Sequence, residues 1–136
     1  MRVVADSQAL VWYLAEPSRL SDAALSALDD AESSDGIDVC VLTLAELWVA
    51  THKRSASRRL ELGAFELVKA TLADPDLNFD IVPITAATAS YFEAVAWPAL
   101  RDPFDRFIVA TSLELRLPLV SADRAIRETA GVAVVW

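Results

Sequence analysis

The sequence holds a single cysteine and no long apolar run. One cysteine excludes an intrachain disulfide, and a reducing compartment is the expected environment. Cys40 lies between apolar neighbours, which predicts a small core side chain and not a reactive thiol. The longest uncharged stretch, residues 81–92, falls short of the ~18 apolar residues of a membrane-spanning helix. Asp6 interrupts the position where a signal peptide needs apolar residues, so we expect a cytoplasmic protein without membrane contact.

Basic residues are scarce, since 12 Lys and Arg stand against 20 Asp and Glu for a net charge of −8. This balance argues against a broad basic face that grips nucleic acid. It suits a protein that gathers carboxylates around a cation or meets a basic partner. Four cations cluster at Lys53, Arg54, Arg58 and Arg59, a run of the kind that is usually a solvated helix face.

The only histidine, His52, follows an apolar helical stretch and precedes these cations. Its position predicts a solvent-facing residue near a helix C-terminus, where a partial positive charge is favourable. A serine or cysteine hydrolase that relies on a histidine base is therefore poorly supported.

What the sequence does contain is an alternation of short β-branched stretches with helical stretches along residues 1–136. Strands are predicted at residues 3–5, 37–41, 79–84, 118–121 and 132–135. Helices are predicted at residues 7–15, after Ser21, from a Thr43 cap to about residue 53, at 56–72, from Thr85 to about 96, from Asp102 to about 116, and after Asp123. The alternation predicts one α/β domain of three layers, with a mostly parallel central sheet and helices on both faces.

Acidic residues follow the predicted strands. Asp6 ends the first strand and Asp123 follows the fourth, while Glu46 and Asp105 lie in the first turns of helices, Glu46 in a capping box with Thr43. Because ligands bind at the carboxyl ends of parallel strands, all four acids can converge on one cleft. Converging carboxylates do not all stay ionised without a cation, and their oxygens suit Mg²⁺ or Mn²⁺.

Taken singly, several of these acids have another explanation. Asp6, Asp102 and Asp123 each stand where a helix N-cap is expected. Glu46 is harder to explain in this way, because its neighbours are apolar and an unpaired buried glutamate is unfavourable. The joint pattern therefore carries the metal-site prediction.

Four segments together match a known family. They are Val3-Val4-Ala5-Asp6-Ser7, Leu42-Thr43-Leu44-Ala45-Glu46-Leu47, Asp102-Pro103-Phe104-Asp105-Arg106-Phe107-Ile108-Val109-Ala110-Thr111, and Leu117-Pro118-Leu119-Val120-Ser121-Ala122-Asp123. The whole chain resembles the PIN-domain ribonuclease toxins of prokaryotic toxin–antitoxin operons, the VapC-like group. The resemblance places the family's acidic quartet at Asp6, Glu46, Asp105 and Asp123. Asp6 and Asp105 would then hold Mg²⁺, or Mn²⁺, and Glu46 and Asp123 would do so directly or through water.

Supporting roles follow from the same resemblance. Ser7 and Ser121 match hydroxyl positions beside a catalytic acid. Asp102 either only caps its helix or caps the helix and also joins the site. Arg106 either approaches a phosphate or forms a surface salt bridge.

The resemblance implies a Mg²⁺-dependent endoribonuclease, in which a metal-activated water attacks an RNA phosphodiester in line and leaves a 5′-phosphate and a 3′-hydroxyl. It also implies a homodimer and a cognate antitoxin whose tail lies in the cleft. Trp12 and Trp48 are candidate anchors for an antitoxin helix, although single aromatics on amphipathic helices are more often core residues.

Rival folds lack a residue that they need. A phosphatase of the HAD type requires a second aspartate two residues after the first, where this chain has Gln8. A receiver domain requires a lysine near its end, and this chain has no lysine after Lys69. One alternative stays open, a catalytically silent PIN-fold module whose acids bind a basic antitoxin-like partner.

Overall fold

The computed structural model describes residues 1–129 and 131–136. Within these residues the strands are β1 (Val3–Ala5), β2 (Ile37–Cys40), β3 (Phe79–Val82), β4 (Leu119–Val120) and β5 (Val134–Val135). The helices are α1 (Ser7–Ala15), α2 (Asp22–Ser33), α3 (Val41–Ala50), α4 (Leu62–Ala73), α5 (Ala86–Phe92), α6 (Pro103–Leu115) and α7 (Arg124–Arg127), with a short 3₁₀ turn at Pro17–Arg19. No helix in this part of the chain is both long enough and apolar enough to cross a membrane.

The strands form one sheet in the order β3-β2-β1-β4-β5, and every neighbouring pair is parallel. From β1, the sheet continues through β2 to β3 on one side and through β4 to β5 on the other. β1 and β4 are therefore the neighbours between which the winding reverses, and such a reversal opens a crevice at the carboxyl ends of the strands. The predicted parallel α/β sheet is confirmed.

Two apolar cores cover the two faces of the sheet. In β1, Val3 and Ala5 belong to a core shared with α1, α2 and α4, whereas Val4 belongs to a second core with Ile108 and Val109 of α6. This division follows from the alternation of side chains along a strand. β1 is thus buried on both faces, which explains its continuous apolar composition.

The structure corrects the predicted start of α3. The helix begins at Val41 and its N-cap is Cys40, which makes no side-chain cap bond. Thr43 is fully buried inside the helix, and Glu46 lies in the second turn, so the predicted capping box is wrong. The reason is that β-branched Val41 suits a strand and a helix alike, and tertiary packing decides between them.

The helix predicted over residues 56–72 begins only at Leu62. Residues 51–61 form turns, and every side chain from residue 52 to residue 59 is exposed. This segment has almost no apolar surface to bury, and helices in proteins depend mainly on packing of an apolar face.

Candidate active site

Asp6 and Asp123 stand at the carboxyl ends of the paired strands β1 and β4. Asp6 caps α1, its Oδ1 accepting from the backbone N–H of Ala9 at 2.7 Å. Asp123 caps α7, its Oδ1 accepting from the N–H of Ile126 at 3.0 Å. Both residues are therefore N-caps, and both also lie at the crevice that the strand order opens. Capping engages Oδ1 and leaves Oδ2 outside the cap bond.

Asp102 and Asp105 lie at the start of α6. Asp102 is the N-cap predicted from the sequence, and its Oδ1 accepts from the N–H groups of Phe104 at 2.9 Å and Asp105 at 3.2 Å. Pro103 occupies the first helical position, which it suits because it lacks an N–H. The carboxylate of Asp105 accepts no hydrogen bond from the described residues, so its charge is not used for capping.

Glu46 is tied to α1 by a hydroxyl. Ser7, the first residue of α1, donates its Oγ–H to Oε2 of Glu46. Ser7 is buried beside Asp6, so a single helix start positions two of the predicted acids. Ser121 lies between β4 and Asp123, and its Oγ accepts from the N–H of Asp123 at 3.1 Å.

Burial and mutual repulsion raise the pKa values of three carboxyl groups. Burial, with the nearby charges of Asp102 and Glu46, raises the pKa of Asp105 to about 7. Burial raises the pKa of Asp6 to about 6, although hydrogen bonds from Ser121 and the Ala9 amide oppose this rise. Burial likewise raises the pKa of Glu46, against a hydrogen bond from Ser7.

These interactions connect five carboxylates, which we name the acidic cluster. Its members are Asp6, Glu46, Asp102, Asp105 and Asp123. The charges of the other four all raise the pKa of Asp105, so they lie within electrostatic range of it. A cation placed among them would relieve the repulsion, which is the condition that a metal site requires.

The acidic cluster is more open than a closed metal cage. Among residues 1–129 and 131–136, no three His, Cys, Asp or Glu side chains are close enough to hold one ion together. Zn²⁺ in structural and catalytic sites takes three or four protein ligands, whereas Mg²⁺ keeps several waters and takes one or two carboxylates. The donors of the acidic cluster are all carboxylate oxygens, which are the ligands that Mg²⁺ and Mn²⁺ prefer.

The observed position of Arg106 contradicts the role predicted for it from the sequence. Arg106 as a whole is only 4% exposed, and its guanidinium donates to the backbone carbonyls of Phe92, Val95 and Leu100 at 2.5–2.6 Å. It also lies over the rings of Phe92 and Trp97, at 4.9 and 5.6 Å from their centroids. Arg106 therefore neither reaches a phosphate nor forms a surface salt bridge, because its helical position directs it away from Asp105 and towards residues 92–100.

The two tryptophans proposed as anchors differ in exposure. Trp12 is half-buried, with the Trp136 ring at 5.8 Å and the Arg19 guanidinium 4.6 Å from its ring centroid. Trp48 is 55% exposed, and its ring centroid lies 4.4 Å from that of His52. His52 is exposed at the C-terminal end of α3, as predicted. Binding of an antitoxin helix to either tryptophan stays a prediction.

The raised pKa values predict that the acidic cluster destabilises the metal-free protein at high pH. The folded state binds more protons than the unfolded state between about pH 4 and pH 7, so the free energy of unfolding falls as pH rises through this range. We expect Asp105→Asn to stabilise the metal-free protein at pH 8 by about 1–2 kcal/mol, since solvent screens the partly exposed carboxylate. At pH 5 the gain should be less than half as large. Urea unfolding in EDTA measures both values.

A matched control for this experiment is Asp22→Asn, which changes an exposed first-turn aspartate of α2, outside the acidic cluster. Its effect on the free energy of unfolding should be small at both pH values. A gain for Asp105→Asn that is equal at pH 5 and pH 8 would contradict the assigned pKa elevation.

Comparisons with known proteins agree with this architecture. The PIN domain family model matches residues 3–132. The chain is 36% identical over 128 residues to the ribonuclease VapC22 of Mycobacterium tuberculosis. The aligned region covers 92% of this chain and 89% of that protein.

Solved structures share the fold at low sequence identity. VapBC2 from Rickettsia felis, bound to a DNA fragment from its promoter, superposes with a TM-score of 0.70 at 11% identity, over 98% of this chain and 97% of that one. DNA-bound VapBC from Salmonella typhimurium gives a TM-score of 0.67 at 12% identity, over 98% and 96% of the two chains. The chain therefore belongs to the PIN-domain family, and its predicted resemblance to the VapC-like group is confirmed.

Proposed function

We propose that this chain is a divalent-metal-dependent endoribonuclease and the toxin of a toxin–antitoxin pair. The observation that carries the proposal is the acidic cluster, in which buried Asp6 and half-buried Asp105 have raised pKa values, and Asp6 and Asp123 follow the paired strands β1 and β4. A curated relative named as a ribonuclease, at 36% identity over nearly the whole chain, supports the same activity.

Each member of the acidic cluster has a proposed role. Asp6 and Asp105 would hold Mg²⁺, or Mn²⁺, and Glu46 and Asp123 would contribute directly or through water. Asp102 caps α6 and adds negative charge beside Glu46 and Asp105. A divalent cation bound there would lower the pKa of a water molecule bound to it and neutralise charge on a phosphodiester oxygen.

The chain's own hydroxyls would keep the carboxylates in position. Ser7 donates to Glu46, which fixes the direction of that carboxylate and favours its charged form. Ser121 favours the charged form of Asp6 in the same way. Both serines are buried, so bulk water does not compete for these hydrogen bonds.

We further propose that a cognate antitoxin binds this protein and that the protein forms a homodimer. The similar solved structures from Rickettsia felis and Salmonella typhimurium are of VapBC, and the similar VapBC-5 from Mycobacterium tuberculosis is a member of the VapBC family of toxin–antitoxin systems, which supports the antitoxin partner. An antitoxin arginine or lysine would pair with the acidic cluster through charge-assisted hydrogen bonds. Exposed Trp48 offers an apolar anchor for an antitoxin helix.

The proposal predicts metal-dependent RNA cleavage by the isolated protein. Purified chain, freed of antitoxin by denaturation and refolding, is incubated with total RNA and with defined oligoribonucleotides. We expect cleavage with Mg²⁺ or Mn²⁺, none in excess EDTA, and products with a 5′-phosphate and a 3′-hydroxyl, detected by end-labelling. Cleavage that persists in EDTA would reject the metal dependence. Refolded protein that cuts no RNA but binds a basic antitoxin peptide would favour the silent binding module instead.

A further inference from the structure

The segment after α3 is the strongest concentration of positive charge in this acidic chain. We name residues 51–61 the basic loop. It holds four of the chain's 12 Lys and Arg side chains, at Lys53, Arg54, Arg58 and Arg59, and between Glu46 and Glu61 the sequence has no acid. All four cations are exposed. In a chain of net charge −8, a local surface of this sign requires an explanation.

The basic loop is an ordered turn structure closed on the end of α3. The N–H groups of Lys53 and Leu60 both donate to the Ala50 carbonyl, at 3.4 and 3.0 Å, which brings the two ends of the loop together. The Arg59 guanidinium donates to the carbonyls of Lys53 at 2.7 Å and Arg54 at 3.2 Å, so it holds the loop in shape.

The remaining cations face solvent. Lys53, Arg54 and Arg58 form no salt bridge with any carboxylate in the described part of the chain, and the nearest acid after them in sequence is Glu61. Their charges are therefore available to an anionic partner.

The basic loop borders the acidic cluster. Ala50, whose carbonyl accepts from both ends of the basic loop, lies four residues after Glu46 in α3, about 6 Å along the helix axis. The Lys53 charge also lowers the pKa of Glu46 in part, against the larger effect of burial.

We propose that the basic loop, through Lys53, Arg54 and Arg58, binds the phosphates of the RNA strand beside the scissile bond. This inference rests on the proposed ribonuclease function. RNA approaching the acidic cluster is repelled by a protein of net charge −8, and a flanking array of cations offsets that repulsion and steers the strand. An acidic protein partner would satisfy the same charges, but the position next to Glu46 favours the RNA strand.

The test compares two double variants that remove equal charge. Arg54→Gln with Arg58→Gln changes the basic loop, whereas Arg19→Gln with Arg116→Gln changes exposed cations that follow α1 and α6 and lie outside the basic loop. Arg59 is left intact because it supports the loop. Both pairs are made in an Asp105→Asn background, so that RNA is not cut during binding.

Binding of a fluorescein-labelled 15-nucleotide oligouridine RNA is measured by anisotropy between 50 and 200 mM NaCl. The basic-loop pair should bind about tenfold more weakly at 100 mM NaCl. Its slope of log K against log salt should be shallower by roughly 0.7 for each phosphate that the loop no longer neutralises. The control pair should stay within about twofold of its parent. Equal affinities and equal salt slopes for the two pairs would overturn the proposal. The proposal would also be overturned if the basic-loop pair no longer bound an acidic peptide but kept its affinity for the RNA.

A kinetic arm separates this proposal from the proposed function. In the chain with Asp105 intact, the basic-loop pair should raise KM for a long RNA by about tenfold and keep kcat within about twofold. If the unchanged chain cleaves no RNA, the ribonuclease function is rejected. The salt slopes of the two pairs would still show whether the basic loop binds RNA. Cleavage with identical KM for both pairs would reject only the role of the basic loop.

Discussion

Replacing Asp105 by asparagine is expected to lower the rate of RNA cleavage by about 10³-fold, which corresponds to the several kcal/mol that a bound ion contributes to a transition state. Asn keeps the shape of the side chain and removes its charge. Because the Asp105 carboxylate accepts no hydrogen bond from the described residues, the reduced rate cannot be attributed to a broken helix cap. The measurement is the single-turnover cleavage rate at saturating Mg²⁺.

Asp6→Asn should have an effect of similar size for the same reason. Asn is as good an N-cap as Asp, so the bond from the Ala9 amide to residue 6 is retained while the charge is removed. Asp22→Asn, at an exposed first turn of α2, serves as the matched control and should cleave RNA at the unchanged rate. Substantial cleavage by both Asp6→Asn and Asp105→Asn would reject the assigned metal ligands.

The second large effect concerns stability. We expect Arg106→Met to lower the free energy of unfolding by about 3–5 kcal/mol, since hydrogen bonds from a charged donor are strong and their removal leaves buried carbonyls unsatisfied. The affected carbonyls belong to Phe92, Val95 and Leu100, in the segment that leads to Asp102. Urea denaturation at pH 7 measures the change.

Two companion variants make this result specific. Arg101→Met removes an exposed arginine five residues away and should change the free energy of unfolding by less than about 0.5 kcal/mol. Arg106→Lys should recover only part of the stability, because an ammonium group does not reproduce the planar array of donors of a guanidinium. A decrease below about 1 kcal/mol for Arg106→Met would show that these hydrogen bonds contribute little.

The sequence was sufficient for the sheet and for the acids at its edge. A buried parallel strand reads as a short apolar run, and Asp6 and Asp123 each come soon after such a run. The direction of all strands then follows from the intervening helices, since parallel neighbours require a crossover. Gathering of the acids at one edge was therefore predictable without coordinates.

The wrong start of α3 arose because one residue type suits two structures. Val41 and Leu42 fit the end of a strand as well as the start of a helix, so the boundary of α3 depended on packing that local sequence does not record. The burial of Arg106, by contrast, could have been predicted from the sequence. It precedes Val109, Ala110 and Leu113 at helical spacing, which places it on the apolar stripe of α6 and predicts burial.

The electrostatic state of the acidic cluster lay beyond sequence reasoning. The pKa of Asp105 depends on how deeply its carboxyl group is buried and on its distance to charges from other elements. Neither quantity follows from spacing along the chain. The hydrogen bond from Ser7 to Glu46 is similar, because it joins residues of α1 and α3 that are far apart in sequence.

Three members of the acidic cluster, Asp6, Asp102 and Asp123, each hold a helix start with one oxygen. A library randomised at these positions and selected only for folding should therefore converge on Asp, Asn and Ser, the good capping residues. Selection for RNA cleavage should then separate Asp from Asn and Ser at positions 6 and 123. Glu should disappear from both selections, since its longer side chain misplaces the capping oxygen. The two enriched populations would thus distinguish, residue by residue, what the fold requires from what the chemistry requires.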